Sequence, residues 1–286
     1  MYAVFALFSA LFAGLTAILA KRGVRKTDSD VATALRTLVV LVFAWAVAWL
    51  AGSVQTLGSI SPRSLTFLAL SGVATGASWL CYFKSLSLSD VNRVAAVDKS
   101  SVVLTALCAM LLLGETERWQ LQLACSMLIA LGTFLMVEKK QSSAAQGPWL
   151  AYALASAVFA ALTNILAKYG VAGVESNLAT ALRTCVVLVF SWGFVLLRGK
   201  TPLLRSIDRH EGAFIVLSAL ATGASWLCYF RALQMGPVTA VVSIDKTSLL
   251  FTALFARLFL GERLSRRSAF GLLLLCIGAA VMAIWG

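Results

Sequence analysis

Apolar residues in this chain form long unbroken runs that are separated by short polar segments. A helix needs about 20 apolar residues to cross about 30 Å of hydrocarbon, and the runs reach that length. They do not alternate with a period of two, which favours membrane-spanning helices over a transmembrane barrel. The pattern predicts ten spans, at 2–20, 31–51, 64–83, 94–113, 119–137, 149–167, 178–197, 212–230, 238–260 and 268–286.

The chain contains the same five-span segment twice. The stretch ATGASWLCYF fills positions 74–83 and returns unchanged at 221–230, an offset of 147 positions (221 minus 74). The same offset relates the pair Asp98-Lys99 to Asp245-Lys246. Self-similarity over the whole length indicates a duplicated structural unit. We therefore predict an all-α integral membrane protein with a first five-helix repeat at 1–137, a linker at 138–148 and a second five-helix repeat at 149–286.

An odd number of spans in each repeat predicts that the repeats are inverted. After five crossings the chain lies on the face opposite to its start. The 11-residue linker would have to run almost fully extended, about 36 Å at most, to cross back, with its amides unsatisfied in lipid. The second repeat therefore starts where the first ended. Inverted-topology repeats are typical of secondary transporters, whose substrate site lies near the midplane between the repeats.

The distribution of charge agrees with inversion and predicts an orientation. The chain is 60% hydrophobic and 13% charged, with a mean hydropathy of +0.89 and a net charge of +12. Most of its Lys and Arg fall in one alternate set of loops, while the other set holds only Arg63, Arg118, Lys168 and Arg231. Because basic loops stay in the cytoplasm, we predict a multi-pass cell-membrane protein with both termini extracytoplasmic. Without a soluble basic domain, the positive charge does not indicate a nucleic-acid partner.

The layout resembles a known family. Ten spans in duplicated halves, a third span rich in small residues and a fourth ending in LGE at 113–115 and again at 260–262 are similar to the EamA family of the drug/metabolite transporter superfamily. The resemblance covers essentially the whole chain. It implies alternating access with export or exchange of a small molecule, and a central cavity lined by helices 1, 3 and 4 of each half. Related small multidrug resistance proteins carry a glutamate in the first helix, and neither first helix here contains an acid.

Charged residues inside the spans are the first candidates for a site, because each costs at least about 2.5–3.5 kcal/mol on insertion scales. We predict two equivalent clusters on opposite sides of the midplane, each closing the cavity in turn, with the lysines facing the substrate. Each cluster carries a net charge of +1, which favours an amino acid or an anionic metabolite. The alternative is structural, with snorkelling arginines and satisfied Asp-Lys pairs. The residues are Arg36, Asp98, Lys99, Arg183, Asp245 and Lys246.

Aromatic residues follow the small residues of the repeated stretch. A small-xxx-small spacing, Gly72 with Gly76 in the first copy, allows helix backbones to approach closely. The helical period then places Trp79 and Tyr82, and their twins Trp226 and Tyr229, along roughly the same side. The tryptophans are pocket or gate candidates. An interfacial aromatic belt is the alternative and suits the tyrosines better.

Polar residues near these positions complete the candidate site. Asn164 stands where the first repeat has Ala17, so it is either a substrate contact or an interhelical hydrogen bond. Ser100 and Thr247 directly follow the charged pairs, where their hydroxyls can bond substrate or their own backbone.

The sequence disfavours the other functional classes. The single histidine, His210, lies in a loop, and no H-E-x-x-H, G-x-S-x-G or phosphate-binding loop occurs, so we expect no enzyme activity. The six cysteines have no metal-ligand spacing, and we expect neither a metal nor a cofactor. Expected partners are a small-molecule substrate and the lipid bilayer, with the chain a monomer or homodimer. Lipid or lipid-linked-sugar flipping and multidrug efflux are alternatives on the same fold.

Overall fold

The computed structural model describes residues 1–23, 27–88, 94, 97–98, 100–136, 148–261 and 264–285. Within these ranges the regular structure is helical. Two short 3₁₀ turns, Ser53–Ser59 and Thr201–Ser206, follow the helices that end at Leu50 and Leu197. The helices are α1 Tyr2–Gly23, α2 Ser29–Leu50, α3 Pro62–Leu88, α4 Ser101–Cys108, α5 Trp119–Met136, α6 Trp149–Gly170, α7 Ser176–Leu197, α8 Arg209–Met235, α9 Val238–Asp245, α10 Ser248–Leu260 and α11 Arg266–Trp285.

The described residues contain nine helical segments that are long and apolar enough to cross a membrane, and α9 and α10 together, Val238–Leu260, form one of them. Ten such segments were predicted. Span 94–113 is the exception. Its described continuous part is the shorter apolar helix Ser101–Leu113, in which α4 widens to a π-helical turn over Ala109–Leu113. Residues 95, 96 and 99 of that span lie outside the described residues. The described part of that span is thus shorter than predicted, while the all-α membrane fold is confirmed.

The fourth and ninth spans share a tight turn just after the Asp-Lys pairs. In the ninth span α9 and α10 are separated at Lys246 and Thr247. There the Thr247 amide donates to the Ile244 carbonyl at 2.9 Å, and its hydroxyl donates to the same oxygen at 2.7 Å. Ser100 makes the equivalent two bonds to the Val97 carbonyl, at 3.1 and 2.6 Å. Bonds from residue i to i−3 tighten the helix, so both spans change their winding at matching positions.

Equivalent helices of the two halves run antiparallel. Ala44 and Ala48, near the end of α2, share an apolar cluster with Ala181 near the start of α7. Val31, near the start of α2, clusters with Val195 near the end of α7. Equivalent helices related by an axis along the membrane normal would run parallel. This pairing therefore confirms the predicted inverted repeats.

The fifth helices of the two halves, α5 and α11, also pack antiparallel. A Cβ added to Gly132 would meet the Gly271 carbonyl oxygen at 2.5 Å, so only glycine allows this approach. Near one end of the pair, Arg118 donates to the Trp285 carbonyl at 2.5 Å. Toward the other end, Ser268 donates to the Met136 carbonyl at 3.5 Å. Small residues at a membrane helix crossing let dispersion contacts form along the backbones.

The space beside each glycine of the repeated stretch is occupied by an aromatic ring of the opposite half. A Cβ on Gly76 would overlap the Phe190 ring, and a Cβ on Gly223 would lie 2.5 Å from the Phe43 ring. Phe43 and Phe190 are themselves related by the offset of 147. The repeated stretch thus provides the same socket twice, each time for a ring on the second helix of the other half.

Candidate functional site

Paired serines join the first helix of each half to the third helix of the other. Ser78 on α3 donates to the Ser156 carbonyl on α6 at 3.0 Å, and Ser225 on α8 donates to the Ser9 carbonyl on α1 at 3.0 Å. The two contacts are exact copies at the offset of 147. They join α3 to α6 and α8 to α1 beside Asp98 and Asp245.

These helices, together with α4, α7 and α9, line a partly open cavity of about 490 Å³. Small pockets that bind metabolites or drugs have volumes of about 300–1,000 Å³. Arg183 lies seven residues into α7, about 10 Å along the axis at 1.5 Å per residue, so the cavity is displaced from the midplane toward the end where α7 starts. The polar lining consists of Ser9, Thr75, Ser78, Ser101, Thr163, Asn164, Arg183, Ser225, Asp245 and Lys246.

Arg183 is the most buried charge of the cavity, 6% exposed. Its Nη2 donates to Thr75 Oγ1 at 2.5 Å and its Nε donates to Ser71 Oγ at 3.2 Å, both on α3 of the other half. Its guanidinium carbon lies 5.3 Å from the Trp226 ring centroid and 5.2 Å from that of Phe230. Cation–π contacts and hydroxyl acceptors offset the desolvation of a cation that is held at the cavity wall.

Arg36, the twin of Arg183, has a different environment. The positions that correspond to Ser71 and Thr75 are Ser218 and Thr222. Ser218 donates to the Ile215 carbonyl, and Thr222 donates to Thr16 and to the Ser218 carbonyl. Among the described residues no hydrogen bond joins Arg36 to this pair, and no ion pair joins it to Asp98. The two arginines therefore occupy different states in one structure.

The carboxylates of the charged pairs are bonded to serines of the other half. Ser9 donates to Asp245 Oδ1 at 2.8 Å, and Ser156 donates to Asp98 Oδ1 at 3.1 Å. Asp245 and Lys246 line the cavity with Arg183, giving these three lining residues a net formal charge of +1. Asp98 is not on the described lining, and the cavity-lining Ser78 reaches it only through Ser156. Lys99 lies outside the described residues.

The aromatic candidates separate into two groups. Trp79, Trp226 and Tyr229 line the cavity. The Tyr229 hydroxyl donates to Asn164 Oδ1 at 2.8 Å, a polar contact inside the protein rather than at a membrane interface. Tyr82, the twin of Tyr229, is partly buried and is not on the described lining.

The polar candidates also divide. Asn164 lines the cavity, and its Nδ2 donates to Thr105 Oγ1 at 3.3 Å. The side chain therefore makes an interhelical hydrogen bond and also lies where it could contact a substrate. The Ser100 and Thr247 hydroxyls donate to the backbone carbonyls three residues earlier, Val97 and Ile244, and neither residue is on the described lining. Ser101, the neighbour of Ser100, lines the cavity instead.

Sequence reasoning missed the residues that hold the candidates in place. Ser9, Ser78 and their twins are small hydroxyls in apolar runs, and Ser71 and Thr75 bind the arginine. Their signal was the repetition of serine at 9 and 156 and at 78 and 225. Serine is common at membrane helix contacts, so the repetition alone did not distinguish a functional position.

An ion-pair cluster, the clasp, joins the start of α2 to the segment after α7 on the face where α2 begins. Lys200 Nζ lies 2.7 Å from Asp28 Oδ2 and 2.6 Å from Asp30 Oδ2, and Arg198 Nη1 lies 2.7 Å from Asp30 Oδ2. Asp28 also caps α2 by accepting from two amides. Partial burial pushes the pKa of Asp28 up, but the bonds from Lys200 and these amides outweigh burial and lower it. Partial burial likewise lowers the pKa of Lys200, but its two carboxylate partners outweigh this and raise it.

The clasp has no twin on the opposite face. The positions that correspond to Asp30, Arg198 and Lys200 are Asn177, Ala51 and Ser53. On that face, two charged side chains instead bond backbone groups at the ends of α8 and α9. Glu115 accepts from the Val238 and Thr239 amides at 2.6 and 3.1 Å, and Lys168 donates to the Leu233 and Gly236 carbonyls at 2.6 Å each. We call this the Glu115 face, and the cavity lies on its side of the midplane.

Comparisons with known proteins agree on the kind of molecule. The model of the EamA-like transporter family matches residues 1–138 and again residues 147–284. A Sinorhizobium sp protein described as an uncharacterized transporter in the cobO 3'region is 42% identical over 137 residues, which are 48% of this chain and 97% of that protein. A solved structure described only as "Crystal structure of protein" has a TM-score of 0.79 at 19% identity, over 98% of this chain and 95% of its own. At that identity the likeness concerns the fold.

Proposed function

Because the chain belongs to the EamA-like transporter family, we propose that it carries a small carboxylate-bearing metabolite, with an amino acid the favoured class, through the cavity at Arg183 by alternating access. The observation that carries the proposal is the desolvated arginine on the wall of a 490 Å³ cavity. A guanidinium matches a planar carboxylate with two parallel hydrogen bonds.

The lining supports a substrate with one anionic end and one apolar end. Arg183 and Lys246 exceed Asp245 by one positive charge. Trp79, Trp226 and other aromatic rings line the same space, where a hydrophobic side chain or a flat ring can pack. The excess positive charge of the lining would repel a simple cation, which disfavours multidrug efflux of cations.

The unequal arginines support alternation between two states. In one state Arg183 is bound to Ser71 and Thr75 of the other half, and the clasp joins the opposite end of the bundle. In the other, by the symmetry of the repeats, Arg36 binds Ser218 and Thr222 while Arg183 leaves its sites. The clasp opens in that exchange. Rocking of one repeat against the other about a fixed site is the general route for inverted repeats.

We also propose the orientation that the loop charges predict. The clasp face is cytoplasmic, and the Glu115 face and both termini are extracytoplasmic. Each five-helix repeat is one moving unit, joined by the segment 138–148. In this orientation the cavity lies nearer the outside, as suits release of an exported or exchanged metabolite.

Counterflow into proteoliposomes tests the function. Purified protein is reconstituted with a panel of unlabelled carboxylates inside, and uptake of the matching radiolabelled compound is measured. At least one amino acid or similar anion should exchange. Arg183→Gln should weaken apparent affinity by about 10- to 150-fold, the loss expected for a charge-assisted hydrogen bond of about 1.5–3 kcal/mol. Arg183→Lys should retain part of it.

The control is Arg231→Gln, an exposed arginine on α8 that hydrogen-bonds only Gln234 within the described part of the chain. Lys246→Gln supplies a second test inside the cavity. Thermal stability and elution volume of each variant show whether the protein is folded. Strong exchange of lipids or of organic cations, with no exchange of any carboxylate, would contradict the proposal, as would full transport by folded Arg183→Gln.

A further inference from the structure

Four side-chain oxygens are buried near the Glu115 face, and no hydrogen-bond partner for them occurs within the described ranges. They are Gln122 Oε1 and Ser126 Oγ on α5, and Thr239 Oγ1 and Ser243 Oγ on α9. Their residues are 5%, 0%, 1% and 0% exposed. The large majority of buried side-chain polar atoms in proteins have a hydrogen-bond partner, so four such oxygens in two neighbouring helices require an explanation.

Contacts between α5 and α9 place the four oxygens in one region. Glu115, just before α5, binds the first amides of α9. Gln122 and Pro237 line one pocket of about 510 Å³ at this face, together with Glu115. One level deeper, Cys125 of α5 and Ala240 of α9 belong to a single apolar cluster. Both helices therefore descend side by side from the Glu115 face.

On each helix the two polar residues are four positions apart, so they follow one side of the helix downward. Gln122 and Thr239 lie near the face, and Ser126 and Ser243 lie one turn deeper. Next below Ser243 are Asp245 and Lys246, which line the transport cavity. We call the four residues the polar seam. It leads from the surface pocket toward the cavity.

The twin positions in the other half show that the fold does not require a polar seam. Gln122 and Ser126 correspond to Ala269 and Leu273, and Ser243 corresponds to Ala96. Only Thr239 has a polar twin, Asn92. If the oxygens served helix packing alone, both halves of a symmetric bundle would need them. Their presence in one half indicates a property of the Glu115 face.

We propose that the polar seam binds ordered water molecules, which form a file between the surface pocket and the level of the cavity. Hydroxyl groups both donate and accept, so each can bond water, and a buried water typically makes about three such bonds. A bare cation is a poorer match, because the four groups are uncharged. The nearby Glu115 carboxylate is already bonded to two amides. This proposal does not rest on the identity of the transported substrate.

The test uses two sulfurs beside the polar seam as reporters. Cys125 and Met282 share the cluster with Ala240 and are 5% and 0% exposed. Synchrotron hydroxyl-radical footprinting of the whole protein in nanodiscs produces radicals from bound water as well as bulk water. Both sulfurs should be oxidised in wild type despite their burial. Ser126→Ala with Ser243→Ala should largely abolish that oxidation.

Thermal stability gives an independent readout. If water occupies the polar seam, removing both hydroxyls breaks its bonds and should lower the Tm by about 2–4 °C. In a dry interior the same change removes unsatisfied groups and would raise the Tm. Thr133→Ala is the matched control on α5, since its buried hydroxyl already bonds the Ile129 carbonyl. It should leave oxidation of Cys125 unchanged.

Two outcomes would overturn the proposal. One is a wild-type protein whose Cys125 and Met282 resist oxidation while the serine-to-alanine double variant gains stability. The other is a Tm that rises in sodium chloride over choline chloride at equal ionic strength, with the rise lost in the double variant, because that result assigns the oxygens to a cation. Substrate exchange is not measured, so failure of the proposed transport function would not affect this test.

Discussion

Removing the negative charge of Asp30 should shift the protein toward the state in which the clasp face is open. Asp30→Asn keeps the shape of the side chain but loses its charge-assisted bonds to Arg198 and Lys200. The lysine remains paired with Asp28. The protein should fold, because the cap of α2 is made by Asp28 rather than by Asp30.

The burial of the partners sets the magnitude. The Asp30 side chain is 5% exposed, whereas those of Lys200 and Arg198 are 26% and 42% exposed. Fully exposed pairs contribute about 0.2–1 kcal/mol each, and a buried carboxylate contributes more. Loss of two such bonds should therefore cost about 1–2 kcal/mol, which changes the ratio of closed to open states by about 5- to 30-fold.

Double electron–electron resonance measures that ratio directly. Spin labels at the exposed positions Ser29 and Thr201, in a variant without the six native cysteines, report the distance between α2 and the segment after α7. A longer-distance population should grow in Asp30→Asn. Asp208→Asn, an exposed acid at the start of α8 whose side chain makes no capping bond, should match wild type. Identical distance distributions for Asp30→Asn and wild type would refute the gating role of the clasp.

Three further outcomes follow from the same contacts. Because the pKa of Asp28 is lowered and the pKa of Lys200 is raised, both groups are charged and the clasp is complete between their ordinary pKa values of 3.8 and 10.5. The clasp is lost only as pH falls through the folded-state pKa of Asp28 or rises through that of Lys200. The distance between the two spin labels should therefore stay constant from about pH 5 to about pH 9. Gly76→Ala places a methyl group against the Phe190 ring and should destabilise the protein by about 1–3 kcal/mol. The control Gly193→Ala adds a methyl group to open space and should not lower the Tm. Equal melting curves for the two variants would contradict this prediction. Tyr229→Phe leaves Asn164 Oδ1 without its donor and should lower the free energy of unfolding by about 1–3 kcal/mol in a chemical denaturation assay. An unchanged denaturation midpoint would show that water replaces the lost hydrogen bond.

The fold followed from the sequence because its strongest signals are regular over long distances. An offset that holds without a gap and an odd number of spans leave only inverted packing of the halves. Composition did not reveal the local winding inside the spans. Apolar residues continue through 94–113 and 238–260, but composition does not register the tight turns at Ser100 and Thr247 or the π-helical turn at Ala109–Leu113.

The site was predictable only where charge stands out against lipid. Arg183 and the pair Asp245-Lys246 reach the cavity, as a search for costly charges suggests. Their partners could not be named, because the partners of Arg183 lie 108 and 112 residues away on the other half. Serine and threonine are ordinary in membrane helices, and only the packed structure shows which of them receive a guanidinium.

In the proposed alternation, identity between the halves would provide two equivalent states, and the differences between the halves would determine which state is favoured. The serine contacts at Ser78 and Ser225 are the same in both halves, so they favour neither state over the other. The clasp acts differently, because Asp30 has the uncharged twin Asn177 and only one face gains the ion pairs. A free-energy bias of about 1–2 kcal/mol is enough to populate one of two nearly equivalent states. Replacing Asn177 with Asp should not create a second clasp unless Ala51 and Ser53 also become basic, because a carboxylate at position 177 gains no basic partner there.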